Sequence, residues 1–337
     1  MQFDFFRSSE AAAPVVVAYG GGLDSTAMLV ELVERGERVD LVLFADTGSE
    51  KPATYAYVDL FFAWLRARGL RCEIVRYEPQ RFKNWPAYRT LDENCFTNGT
   101  LPSVSFGRHS CSQKWKIAPQ DRWLETWEPA VACWAAGGKV RKLIGYNAGK
   151  QDARRYAHAE GHQDPRFTYE YPLRAWEWDR PEEEARIRAA GLPVPVKSAC
   201  FMCGASKPWE LHALPAAQLR RIVLMEARAK PRLRDVEGLW RKSVQGQRGS
   251  TARPGSMTAY IREQGLLPAA EIDDIEALAP AALLRFQDAE GKIPIDQRAE
   301  LSAWLKLFDA RDRGIFGEDR GRPLYQGITA PELELTA

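Results

Sequence analysis

The run Val15-Val16-Val17-Ala18-Tyr19 stops at Gly20-Gly21-Gly22 and gives way to Leu23-Asp24-Ser25-Thr26-Ala27-Met28-Leu29-Val30, and no other feature constrains the fold so tightly. An unbroken β-branched run suits a strand buried on both faces, and the apolar spacing after the glycines suits a helix. Strand, glycine turn and helix in that order begin a βαβ unit. The pattern repeats. Leu41-Val42-Leu43-Phe44 leads to Asp46-Thr47-Gly48 and a helical stretch from about Pro52 through Leu65, and further apolar runs lie at Cys72 to Tyr77 and Val140 to Gly145. This alternation predicts an α/β fold, a Rossmann-like parallel sheet with helices on both faces, whose ligands bind beyond the carboxyl ends of the strands. Gly20 to Ser25 and Asp46 to Gly48 both fall at that edge.

Between Arg81 and Pro119 the alternation lapses into a stretch rich in Asn, Gly, Ser and aromatics, longer than an idle connection needs, which reads as an active-site insertion. From Pro181 helical patterns dominate, with Glu182-Glu183-Glu184 in a first turn where negative charge suits the helix dipole. Pro208 to Arg228 reads as one amphipathic helix, and no strand is expected after Ala205. Two regions follow: 1–205, an α/β domain with an insertion at about 81–119, and 206–337, helical and locally basic. Lys207 to Arg253 hold eleven Lys or Arg against four Asp or Glu.

The 337 residues are 45% hydrophobic and 27% charged, ordinary for a globular chain, and no apolar run approaches the roughly 20 residues of a membrane span. Met1 to Glu10 lacks a basic segment followed by an apolar one, so a cytoplasmic address and no membrane partner are expected. A net charge of +2 excludes little about partners. Six cysteines are too sparse for a disulfide scaffold. Cys72 and Cys133 sit in apolar surroundings, whereas Cys95, Cys111, Cys200 and Cys203 lie among polar, loop-forming residues. Cys200-x-x-Cys203 brings two thiols within reach of one metal, and Cys95 and Cys111 complete a set of four that suits tetrahedral zinc or an iron–sulfur cluster. Redox-active thiols without metal are the alternative.

Glycines let a backbone turn sharply and bring its N–H groups against phosphate oxygens, while a helix N-terminus adds partial positive charge and Ser25 and Thr26 add hydroxyls. Gly145 to Lys150 is one residue short of a Walker A loop and continues with Gln151, so a P-loop kinase or GTPase is not expected. Gly20-Gly21-Gly22-Leu23-Asp24-Ser25 resembles the signature of the PP-loop superfamily of ATP pyrophosphatases and PAPS reductases, with Gly20 where that signature begins with Ser. The resemblance extends through Ala45-Asp46-Thr47-Gly48 with Glu50, Pro52, Thr54 and Tyr55, through Cys111 to Pro119, Gly145 to Arg155 and Cys200 to Cys203.

The resemblance implies an adenine nucleotide alpha hydrolase-like sheet holding ATP or an adenylylsulfate, with Mg²⁺, and chemistry at the α-phosphate. Gly20, Gly21, Gly22, Asp24, Ser25, Thr26, Asp46, Thr47, Gly48 and Gly145 are the nucleotide-binding residues it implies. Lys114, Lys116, Lys150, Arg154 and Arg155 are the cations expected near the phosphates. Asp24 is the acid expected to organise metal or phosphate, and Asp46 is either a nucleotide contact or a helix cap. ATP-dependent adenylylation coupled to sulfur transfer is the first functional reading, a PAPS or adenylylsulfate reductase using internal thiols the second, and a non-catalytic sensing or nucleic-acid-binding module the third. A nucleic-acid acceptor (tRNA or DNA) and a second copy of the chain are the partners left open beside the nucleotide.

Overall fold

The structure, a computed structural model, describes residues 13–80, 88–102, 104–105, 108–246, 252–277 and 279. The chain opens β1 (Val15–Tyr19), α1 (Leu23–Glu34), β2 (Leu41–Asp46), α2 (Pro52–Arg66) and β3 (Cys72–Arg76). The insertion holds α3 (Leu91–Asn98), a short hairpin of β4 (Val104–Ser105) and β5 (Arg108–His109), α4 (Ser110–Ser112) and a π-helical turn at Gln113–Ile117. Then come α5 (Ala118–Leu124), α6 (Glu128–Ala135), β6 (Val140–Ile144), α7 (Lys150–Ala159), β7 (Phe167–Glu170), α8 (Pro172–Ala175) and α9 (Arg180–Ala189). The last elements are α10 (Pro208–Leu211), α11 (Ala216–Ala229) and α12 (Met257–Glu263). The part of the 206–337 region beyond 279 lies outside the described residues, as do 81–87 of the insertion.

Five strands form one all-parallel sheet in the order β3-β2-β1-β6-β7. The expected α/β architecture is therefore present. Alternation along β1 explains why both faces are covered: Val15, Val17 and Tyr19 enter a core with α1, α2 and Ile187 of α9, while Val16 joins Leu41, Leu43, Leu124 and Ala130 on the other side. The strand order reverses between β1 and β6, and the crevice beyond their carboxyl ends is where sheets of this type bind ligands.

A third core joins the insertion to the C-terminal helices. Leu91, Cys95, Phe96 and Trp115 pack with Phe201, Met202, Leu219, Ile222, Met257 and Ile261. A division drawn at residue 205 therefore runs through one apolar cluster. The single amphipathic helix expected over Pro208 to Arg228 is instead two, α10 and α11, parted near Leu214-Pro215. Pro215 has no N–H to continue a helix, and it serves as N-cap of α11. β7 was not foreseen; four residues are too few for a periodic signal.

Candidate functional site

α1 begins at Gly22, an N-cap with no side chain to offer the first helical N–H groups. The loop is braced from within: Gly20 N donates to Ser25 Oγ (3.1 Å), and Thr26 Oγ1 donates to Gly22 O (2.8 Å). Thr26 is fully buried, so its hydroxyl holds the loop. Gly21 adopts φ 69°, a left-handed conformation that only glycine takes without strain. Gly145, just past β6, abuts the loop so closely that a Cβ would lie 2.9 Å from Ser25 N and 3.0 Å from Ser25 Cα. Ser198 sits against Gly22, where a Cβ would come 2.7 Å from the Ser198 hydroxyl. The glycines thus let three segments meet at the β1–β6 switch point.

Asp24, in the first turn of α1, faces Glu183 of α9. The two carboxyl groups lie within hydrogen-bonding reach, with Asn147 beside Glu183 and with Asp152 and Arg155 of α7 acting on Asp24. Glu183 is fully buried, and neither of its oxygens makes a well-directed hydrogen bond. Burial pushes its carboxyl up, and the neighbouring Asp24 charge adds to the rise. Burial raises Asp24 too; contact with Glu183 and the Arg155 charge oppose the rise, and Asp152 adds to it. Asp152 itself accepts from Arg155 Nη1 (3.1 Å) and Asn147 N (3.3 Å).

At the end of β2, buried Asp46 accepts from Gly48 N (2.7 Å), Tyr55 OH (2.7 Å) and Arg76 Nε (2.8 Å). It closes a turn. It is not the cap of α2, whose N-cap is Lys51. Gly48 takes φ 71° beneath Thr90, which a side chain at 48 would overlap.

The same turn carries Thr47 and Glu50 to the Cys200 segment. Glu50 and Cys200 form an antiparallel bridge, with Lys51 N donating to Ala199 O (3.1 Å) and Phe201 N to Ser49 O (3.0 Å). Cys200 Sγ lies 3.3 Å from Thr47 Oγ1 and donates to Glu50 Oε1 at 3.7 Å. Lys116 Nζ meets that same carboxylate oxygen at 2.9 Å, and the other oxygen, Glu50 Oε2, is buried without a partner. A π-turn is a common way to re-aim side chains at functional sites, and this one buries Trp115 while directing Lys116 to Glu50. Burial works against the Lys116 ammonium, but Glu50 and the Cys200 and Cys203 thiols outweigh it and raise its pKa.

The four singled-out cysteines share this neighbourhood. Burial raises the Cys95 thiol, with Asp92 and Cys111 adding; burial and Cys203 raise Cys111; burial and Glu50 raise Cys200, with Lys116 and Thr47 opposing and Cys203 adding. All are free thiols. Among the described residues, no three His, Cys, Asp or Glu side chains close on a single ion. One zinc needs its sulfurs at about 2.3 Å from a common point, so the thiols as they stand act on one another without making that site.

The expected phosphate cations part company. Arg155 acts on Asp24, and Lys150 and Arg154 are exposed on the first turns of α7. Lys116 turns to Glu50, and Lys114 lies over the ring of Tyr77 (4.9 Å) beside Cys95. The basic C-terminal stretch divides: Arg220 pairs with Glu271 (2.5 Å), Arg221 with Asp92, and Arg228 donates to Phe96 O (2.7 Å), whereas Lys207, Lys230, Arg232, Arg234, Arg241 and Lys242 are exposed. Arg221 and Arg228 fasten α11 to α3. Trp176 and Trp178 pack on the main core, with the Arg35 guanidinium 4.6 Å over Trp176. An open cavity of about 390 Å³ along β7, lined by residues such as Lys139, His162, Phe167 and Tyr171, shares no residue with the Gly loop.

Sequence reasoning missed Glu183 as a site residue, because three consecutive glutamates in a first turn carry no sign of which one faces inward. It also missed Asn147, Asp152 and Ser198. No helix among the described residues is long and apolar enough to cross a membrane. No protein-family model matches the chain, and a comparison with curated proteins finds no match.

Proposed function

We propose that the chain binds an adenine nucleotide, ATP or an adenylylsulfate, on the Gly loop and acts at its α-phosphate, with the neighbouring thiols serving sulfur transfer to the substrate carbon whose oxygen, activated as its adenylate, leaves with AMP. One observation carries this reading: an uncapped helix N-terminus opens at the sheet's switch point, and Ser198 against its N-cap is two residues from Cys200. Backbone N–H groups of the first turn of α1 hold the phosphates, aided by the helix dipole. Arg155, with Lys150 and Arg154 beside it, neutralises charge that develops as pyrophosphate leaves. Mg²⁺ supplies further neutralisation on the phosphates when bound.

At the second centre Lys116 is the cation that favours a Cys200 thiolate, while burial and the Glu50 charge hold the thiol protonated. Cys95, Cys111, Cys200 and Cys203 are the residues that would hold an iron–sulfur cluster, which would supply sulfur-binding or electron-transfer chemistry there. A nucleic acid, tRNA or DNA, is the acceptor class we favour.

The test is calorimetry on anaerobically purified full-length protein with ATP and with adenylylsulfate, followed by assay of pyrophosphate or sulfite release. Binding of ATP with pyrophosphate release supports the reading, and Gly145→Ala should weaken binding by about 100-fold, since the new methyl displaces the loop backbone. Sulfite from adenylylsulfate points to the reductase instead. Absence of heat with both nucleotides overturns the proposal.

A further inference from the structure

We propose that Asp24 and Glu183 form the protein's half of a divalent-cation site at the Gly loop, the other half being the phosphates of the nucleotide. The inference rests on the nucleotide reading above and extends it to a residue 159 positions from Asp24, outside every glycine motif.

The acids around Glu183 are held by cations or backbone N–H groups, and Glu183 is not. Asp179 caps α9 and accepts from Arg180 N (2.8 Å), while Glu182 accepts from Asp179 N (3.1 Å). Glu184 pairs with Arg180 (2.9 Å) and Arg188 (3.2 Å), and Arg186 reaches across to Glu31 of α1 (2.5 Å). Glu183 is the member of that acidic run that turns fully inward, and both its oxygens stay without a well-directed donor. A buried carboxylate in that condition costs several kcal/mol unless something offsets it. A second carboxylate, Asp24, is its neighbour, which worsens the repulsion. Arg155, the cation acting on Asp24, is tied to Asp152 and mostly exposed.

Two carboxylates beside the uncapped start of a helix match how Mg²⁺ is held in phosphate-transfer sites, by one or two carboxylates with substrate phosphates completing its shell. The cation removes the repulsion between Asp24 and Glu183 and brings the phosphates onto the N–H groups of α1. A pair kept only for packing, sharing a proton, would gain nothing from a metal.

Mn²⁺ replaces Mg²⁺ in the test. It is titrated into the full-length protein with and without ATP, bound and free ion are separated by electron paramagnetic resonance, and ³¹P coupling to the bound ion is recorded. Wild-type protein is expected to bind Mn²⁺ more tightly with ATP and to show the ³¹P coupling. Glu183→Gln should weaken Mn²⁺ binding by about tenfold or more while melting cooperatively, and Glu183→Asp, which keeps the charge, should fall between. A folded Glu183→Gln protein that binds Mn²⁺ as wild type does overturns the proposal. If Mn²⁺ binding depends on Glu183 but ATP changes nothing and gives no heat, the carboxylate pair stands as a cation site and the nucleotide reading fails.

Discussion

In the C-terminal helices, Glu226 of α11 accepts from Leu239 N (2.6 Å), Met257 N (2.9 Å), Thr258 N (2.9 Å) and Ser256 Oγ (2.5 Å). At the Gly loop, Glu183 is as deeply buried and makes no well-directed bond at all. The first carboxylate is met by the chain's own donors, so it pins three segments together and has nothing left for a ligand. The second carries a demand that the fold does not meet, and departures of that kind from local consistency gather where proteins do chemistry. On the proposed function, the contrast separates a fastening region from a working one.

Its sharpest test is Glu226→Ala. The substitution leaves three buried N–H groups and a hydroxyl without an acceptor, and a loss of about 3–5 kcal/mol is expected in urea unfolding. A loss under about 1 kcal/mol would break the comparison. Glu183→Gln should move the other way: in EDTA the amide removes a buried carboxylate facing another, and a gain of about 1–3 kcal/mol is expected in the same measurement. Destabilisation there would mean that Glu183 has partners within the fold after all.

Glu210 is the intermediate case and the smallest effect. It is buried but held by Lys51 and by Lys197 (2.8 Å); burial works against its charge, and the two ammonium groups win, so its carboxyl is lowered. A lowered carboxyl stabilises the fold above its unfolded value of about 4.3 and loses that contribution as pH falls through the folded value. The difference in melting temperature between wild type and Glu210→Gln should therefore be present at pH 6 and shrink below about pH 4. A difference that persists at pH 3 would show that shape, not charge, is what Glu210 contributes.

What could be read from the sequence was local. β1, the glycine turn and α1 announce themselves because the hydrophobic period changes within a dozen residues, and the strands at Leu41, Cys72 and Val140 follow the same logic. What could not be read was made by long-range packing. Glu183 differs from Glu182 and Glu184 only because α1 lies against it. Lys116, expected at the phosphates, meets Glu50 because a π-turn rotates it there, and such turns leave no pattern in composition. The cysteines were legible as a set of four, yet their floor was not: Cys95 lies in a core completed by Phe201, Met202 and α11. Asp46 was left open between two roles, and its bonds to Gly48, Tyr55 and Arg76 assign it a turn-closing one that neither residue type nor spacing distinguishes.

Between Ser198, seated on Gly22, and Cys200, bridged to Glu50, there is only Ala199, whose carbonyl is bonded to Lys51 N. Two extended steps reach roughly 7 Å. So short a span has no slack. On the proposed reading, a shift of the backbone beneath the phosphates would carry to the Cys200 sulfur through that single residue.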